Sequence, residues 1–134
     1  MADEVRWGII GTGKIARAFA AALKDTPGAV LAAVGSRRMD SALAFGADFA
    51  VPDRACYGSY QAVADAQDVD IVYIGTPHPM HAANAIMALN GGKAVLCEKP
   101  FTMNRREAEQ VVALARSKKL FLMEAMWTRY LPAL

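Results

Sequence analysis

A chain of 134 residues, 54% hydrophobic and 21% charged with a formal charge of +2, has the make-up of one ordinary globular domain with a full apolar core. So small a charge, with basic residues scattered apart from the pairs Arg37-Arg38, Arg105-Arg106 and Lys118-Lys119, gives no nucleic-acid groove, and every apolar run is broken well before the ~20 residues a membrane helix needs. Asp3 and Glu4 stand where a signal peptide would be positive, which predicts a cytoplasmic protein; Cys56 and Cys97 have neither zinc-site spacing nor disulfide density and read as reduced, buried thiols.

The first predicted strand is Val5 to Ile10. Directly behind it Gly11-Thr12-Gly13-Lys14-Ile15-Ala16 reads G-x-G-x-x-A, and the helix that follows carries Ile15, Phe19, Ala22 and Leu23 on one apolar stripe before Pro27-Gly28 stops it. Gly11 allows a tight turn, Gly13 lets the backbone approach a pyrophosphate, and Ala16 permits close packing of helix on strand. The start of the helix offers N–H groups and partial positive charge to a diphosphate, with Thr12, Lys14 and Ile15 completing the loop. Such a pattern also arises by chance, because tight turns need glycine. A strand before it and a helix after it make it a cofactor loop. The loop lacks the G-K-[ST] ending of a nucleoside triphosphatase.

The second predicted strand, Val30 to Gly35, runs into Ser36-Arg37-Arg38. A site for NAD places an acid here to bind the ribose 2′-hydroxyl. Ser36 stands in the acid's place and two guanidinium groups follow, a set that suits a 2′-phosphate and so predicts NADP over NAD. The alternative reading of the two arginines is a solvated turn.

Short helices are predicted over Asp40 to Phe45 and Ser59 to Ala66, on either side of a weak strand near Ala55 to Tyr57. A strand over Asp70 to Gly75 leads into Gly75-Thr76-Pro77-His78-Pro79-Met80-His81, where Pro79 suits a first helical position, and that helix runs to Asn90-Gly91-Gly92. His78 and His81 have no carboxylate or cysteine beside them in sequence, so no metal site is assigned. The strand Lys93 to Cys97 leads to Glu98-Lys99-Pro100. Asn104 and Glu107 then resemble a capping box ahead of Ala108, Val111, Val112 and Ala115 at helical spacing, and the last predicted strand is Leu120 to Glu124. Strands and helices alternating in this way predict an α/β fold, a doubly wound parallel sheet of the Rossmann kind, binding its ligand at the carboxyl ends of the strands.

The glycine loop, Gly75-Thr76-Pro77 with His81 four residues on, and Glu98-Lys99-Pro100 together resemble the cofactor domain of the glucose-fructose oxidoreductase, inositol dehydrogenase and rhizopine catabolism family, over essentially the whole chain. The stretch Phe121 to Pro132 is most similar to the branch of dimeric dihydrodiol dehydrogenases and NADP-dependent xylose dehydrogenases. The resemblance implies that Lys99 is the catalytic lysine near the nicotinamide ribose, in a Glu98-Lys99-Pro100 motif with a cis bond before Pro100, and that Thr76, Pro77, His81 and Glu98 belong to the cofactor site. A lysine there can stabilise developing oxyanion character. The competing reading is a surface lysine at a strand end.

The resemblance further implies domains at residues 1–124, the dinucleotide-binding unit, and 125–134, the start of a connection to an α+β substrate domain absent from this chain. In that domain lie the family's proton donor, a Tyr or His, and much of the surface through which it forms homo-oligomers. Trp127 would line the substrate pocket and Arg129 would help place the domains. Met126, Trp127, Tyr130, Leu131 and Leu134 would then be apolar groups awaiting a partner, unless a final helix folds them back on the sheet. The expectation is an NADP-binding domain of an oxidoreductase for a sugar or cyclic diol, with little turnover alone. A non-catalytic NADP sensor acting through a partner protein is the second reading, and a methyltransferase, which shares the glycine loop, the third; Arg37-Arg38 and Glu98-Lys99-Pro100 speak against the last.

Overall fold

Apolar runs this short, mostly without a polar face, are stable only when neighbouring strands cover their edges and helices cover both sides. The structure, a computed structural model describing residues 3–126, meets that demand with one six-stranded parallel sheet. In chain order it contains β1 (Val5–Ile10), α1 (Lys14–Lys24), β2 (Ala29–Gly35), α2 (Met39–Phe49), β3 (Cys56–Tyr57), α3 (Tyr60–Asp65), β4 (Ile71–Ile74), α4 (His81–Asn90), β5 (Ala94–Glu98), α5 (Arg105–Lys118) and β6 (Leu122–Ala125). The strand order is β3-β2-β1-β4-β5-β6. From β1 the chain steps outward to β2 and β3, then crosses back to set β4 on the other edge of β1. The two connections leave β1 and β4 in opposite directions, which opens a crevice at their carboxyl ends.

Alternate residues of each strand feed two cores. On one face Ile10, Val72, Ile74, Val95 and Cys97 pack with Val63 of α3, Ala85 and Leu89 of α4 and Val111 of α5. On the other, Ile9, Val34 and Tyr73 pack with Ala16 and Ala20 of α1 and Phe45 of α2. A fully buried side chain of this size contributes about 1.5–3 kcal/mol relative to exposure, so these two layers carry most of the stability.

Chain ends of the helices follow local chemistry. Asn104 caps α5 by accepting the N–H of Glu107 at 2.9 Å, while the Glu107 carboxylate accepts the N–H of Met103, also at 2.9 Å. This is the expected box with its return bond one residue upstream. Helix α2 runs on to Phe49, beyond the expected end at Phe45, because Gly46 serves packing: a Cβ there would sit 2.3 Å from Cys56 Sγ. Phe45 and Phe49, one turn apart, then pack together at a tilt of 38° under the Arg17 guanidinium. Pro79 lies in a 3-10 turn, His78–Met80, and α4 proper begins at His81. Strand β6 pairs through Ala125 with Glu98, one residue past its expected end.

Candidate cofactor site

The crevice between β1 and β4 continues into a groove of about 460 Å³ at the carboxyl ends of the strands. Its floor comes from Gly11, Thr12 and Gly13 after β1, one wall from Ser36, Arg37, Arg38 and Ser41 beyond β2, and the other from Gly75, Thr76, Pro77 and His78 after β4, with Tyr60 closing one side.

The two loop glycines have different reasons. Gly11 has φ +95°, and a Cβ on it would lie 2.7 Å from the carbonyl oxygen of Gly75, so the fold itself demands glycine. Gly13, the N-cap of α1, has an ordinary φ of −82°, and a Cβ there would meet no protein atom within 4 Å. Nothing in the protein needs glycine at 13. The adjoining first turn of α1 has no side-chain cap and no acidic residue, which leaves its N–H groups open to a group lying against the backbone. Lys14 and Ile15 are exposed at this helix start; Ala16 is fully buried, 3.4 Å from where a Cβ of Gly75 would stand.

At the end of β2, Ser36 is buried, its N–H bonded to Tyr57 O at 3.0 Å and its hydroxyl accepting the N–H of Arg38 at 3.4 Å. The Arg38 guanidinium makes a two-point contact with Asp40, Nε to Oδ1 at 3.0 Å and Nη2 to Oδ2 at 2.5 Å. That hydrogen-bonded guanidinium holds the Asp40 carboxyl below the usual carboxylate range. Arg37 forms no ion pair among the described residues. The two arginines, read together from the sequence, thus differ: Arg38 is paired, and Arg37 has no ion-pair partner among the described residues.

Thr76 accepts a hydrogen bond on its hydroxyl from Asn84 Nδ2 at 2.7 Å, which leaves its own O–H to donate. His81, expected among the cofactor contacts, is fully buried and has no surface to offer a ligand; both ring nitrogens face main-chain oxygens, and it is His78 that stands at the groove.

Lys99 is exposed just past β5, and the peptide bond between it and Pro100 is cis. It does not line the groove, which ends at the neighbouring strand. Glu98 is buried and turned the other way: its carboxylate accepts the Tyr73 hydroxyl at 3.2 Å and borders a second, apolar cavity of about 490 Å³ shared with Ile15, Phe19, Leu96 and Met123. Burial, and after it the charge of Glu98, raises the Tyr73 phenol well above its ordinary value, so it stays a donor. Tyr73 also stacks on Phe19 with ring centroids 3.9 Å apart.

Trp127 and Arg129 lie outside the described residues. Asn84, Tyr73 and Glu124 were not singled out as site residues from the sequence, although Asn84 is a polar residue on an otherwise apolar helix face, three positions after His81, and that was a usable signal. No cluster of three or more His, Cys, Asp or Glu able to hold a metal exists among the described residues, nor is any helix there long and apolar enough to cross a membrane.

A doubly wound sheet with a glycine loop at its switch point, an uncapped helix start and a glycine kept clear for a ligand is a nucleotide-binding Rossmann domain. Residues 5–126 match the model of the GFO_IDH_MocA family, described as an oxidoreductase family with an NAD-binding Rossmann fold, and the chain belongs to that family. It is 44% identical over 131 residues to trans-1,2-dihydrobenzene-1,2-diol dehydrogenase of Homo sapiens and 41% identical to that of Danio rerio, alignments that take in 96% of this chain and 39% of each relative. Among solved structures, the 3-ketoreductase KijD10 of Actinomadura kijaniata in complex with NADP superposes with a TM-score of 0.91 at 37% identity, covering 97% of this chain and 41% of that one. The chain therefore spans about two fifths of the length of the relatives it matches.

Proposed function

We propose that this chain is the NADP-binding unit of an oxidoreductase that moves a hydride between nicotinamide and a sugar or cyclic diol. The observation that carries the binding reading is Gly13, a glycine with ordinary backbone angles and open space around its missing side chain, at the start of an uncapped helix. A diphosphate lying over Gly11-Thr12-Gly13 would take the N–H groups and partial charge of α1. Arg37, without an ion pair among the described residues, and Arg38, released from Asp40, would hold the 2′-phosphate, with the Ser36 hydroxyl beside them where an acid would repel it. Thr76 would donate its O–H from the opposite wall. The preference for NADP is supported by that basic wall and by the NADP present in the KijD10 structures.

When bound, nicotinamide supplies the hydride chemistry; the protein supplies orientation and a proton carrier. Lys99, at the carboxyl edge of the sheet, is the residue assigned to stabilise oxyanion character on the substrate. Its partners in catalysis would come from the part of the relatives that these residues do not span, so the 134-residue chain binds cofactor with little turnover. No observation favours the sensor reading, and the family membership places oxidoreductase ahead of methyltransferase.

The test is dinucleotide titration of the chain and of Gly13→Val, followed by protein fluorescence. The valine variant should keep its thermal midpoint and lose NADP binding by at least about tenfold, the loss of about 1.4 kcal/mol of contact. Unchanged affinity would remove the phosphate loop from the site. Several turnovers of a sugar or diol by the 134-residue chain would overturn the division of labour.

A further inference from the structure

His81 is fully buried at the first residue of α4, and both of its ring nitrogens point at main-chain carbonyl oxygens: Nδ1 lies 2.7 Å from Pro100 O and Nε2 lies 2.9 Å from Thr76 O. A carbonyl oxygen can only accept, and a neutral imidazole has one N–H. The neutral ring would set lone pair against lone pair at one of the two contacts, in a fully buried position. The doubly protonated ring donates to both.

The same peptide group is gripped from its other end. The N–H of Phe101, which shares its peptide unit with Pro100 O, donates to Glu124 Oε2 at 2.7 Å. A cation at the carbonyl end and an anion at the amide end polarise one peptide in the same sense, so each contact strengthens the other. The carboxylate's charge is felt nearby: burial first, then Glu124 and Glu98, push the Cys97 thiol up to about 12.

We propose that His81, as imidazolium, and Glu124 form a charge pair acting through the Pro100–Phe101 peptide, and that this pair positions the turn carrying Lys99 against the loop of Thr76. Its value for catalysis rests on the cofactor reading above; the pair itself does not. Three strand ends meet in it: β4 through Thr76 O, β5 through Pro100 O and β6 through Glu124. His78, from the turn before α4, lies edge-on with its ring centroid 5.5 Å from that of His81. From β5 come Cys97, whose Sγ is 3.7 Å from Phe101 O, Glu98, which is turned to Tyr73, and the exposed Lys99. Helices α3 and α5 contribute apolar residues, Val63, Val111 and Ala115, to the core on the α4 side of the sheet.

The chain has two histidines, so His78→Gln leaves His81 as the single histidine in a ¹⁵N-labelled sample without cofactor. At neutral pH both ring nitrogens should carry the shifts of N–H groups. Glu124→Gln keeps an acceptor for Phe101 and removes the charge; in that background the ring should lose its second proton at lower pH, while Glu109→Gln on the exposed side of α5 should leave the titration in place. His81→Gln should speed hydrogen exchange of the Phe101 amide more than tenfold and leave the Ile74 amide protected. A single protonated nitrogen at neutral pH, or a Glu124→Gln titration identical to that of the parent, overturns the pair. Should His81→Gln fail to fold, the Glu124→Gln titration decides alone. These readings need no ligand, so a chain that shows the coupled ring yet binds no dinucleotide retains the pair and refutes only the cofactor reading.

Discussion

Arg38 and Asp40 hold each other in a two-point contact at the mouth of the groove, with both side chains more than half exposed. The sequence pattern shows two arginines where an acid is missing; the structure shows that an acid is present after all, two residues on, and that it competes for one of them. On the NADP reading, a 2′-phosphate would have to draw Arg38 away from Asp40, whereas Arg37 makes no ion pair among the described residues. A pair this exposed is screened by solvent and competes only weakly. Asp40→Asn should therefore tighten NADP by up to about fivefold and leave NAD unchanged, as calorimetric titration of both cofactors would show. Arg37→Ala should weaken NADP roughly ten- to hundredfold, the loss of a charge-assisted hydrogen bond. Equal losses for NAD would place Arg37 elsewhere than on the 2′-phosphate.

The two loop glycines separate stability from binding. Gly11→Ala forces a Cβ to within 2.7 Å of Gly75 O at φ +95° and should destabilise the fold by about 1–3 kcal/mol. Gly13→Ala meets nothing in the protein and should leave unfolding by urea unchanged to within about 0.5 kcal/mol. Comparable destabilisation by both would mean that the protein, not a ligand, requires the second glycine.

Alkaline pH should unfold the chain in a way that identifies Cys97. Its folded thiol is raised to about 12 by burial and then by the carboxylates of Glu124 and Glu98, against 9.0 for the ordinary thiol. A raised folded value means that the unfolded chain loses this proton first. The stabilisation is complete below pH 9.0 and is lost as pH rises toward about 12, at about 1.4 kcal/mol per pH unit for this one group. Tyr73 acts in the same direction from its own ordinary value of 10.0 upward. Between pH 9 and 10, then, Cys97→Ala should flatten the decline in stability measured by denaturant unfolding. An unaltered slope would mean that the thiol is not buried as described.

Tyr73→Phe keeps the stacking on Phe19 and deletes the donor to Glu98. A carboxylate only 9% exposed is left without that bond, and the chain should lose about 1–3 kcal/mol. Adding Glu98→Gln, which removes the charge, should restore part of that. A Tyr73→Phe variant as stable as the parent would show that the bond is not needed.

What was legible in the sequence was what short-range patterns encode. Strand β1 falls on Val5–Ile10 as expected because its apolar run is bounded by charge on one side and glycine on the other. The phosphate loop, the cap at Asn104 and the weak strand β3 are likewise set by neighbours within a few residues. The extent of α2 was not legible, because the reason for a glycine at 46 inside the helix lies in the space taken by Cys56, ten positions away. The inner workings of the site were legible least. Tyr73 meets Glu98 across 25 positions, and Glu124 meets Phe101 across 23; no periodicity reports such pairs. His81 stood out by its motif, yet its part in the structure, gripping two backbone carbonyls rather than facing a ligand, depends on where β4 and β5 end.

The most direct test is titration of the 134-residue chain with NADP and with NAD at the same ionic strength, since contacts to exposed charge weaken with salt. The account predicts that both dinucleotides bind and that NADP binds more tightly by at least about tenfold, the share of affinity assigned to a charge-assisted 2′-phosphate contact. Equal affinities would contradict the role given to Arg37 and Arg38, and absence of binding by either would contradict the central claim.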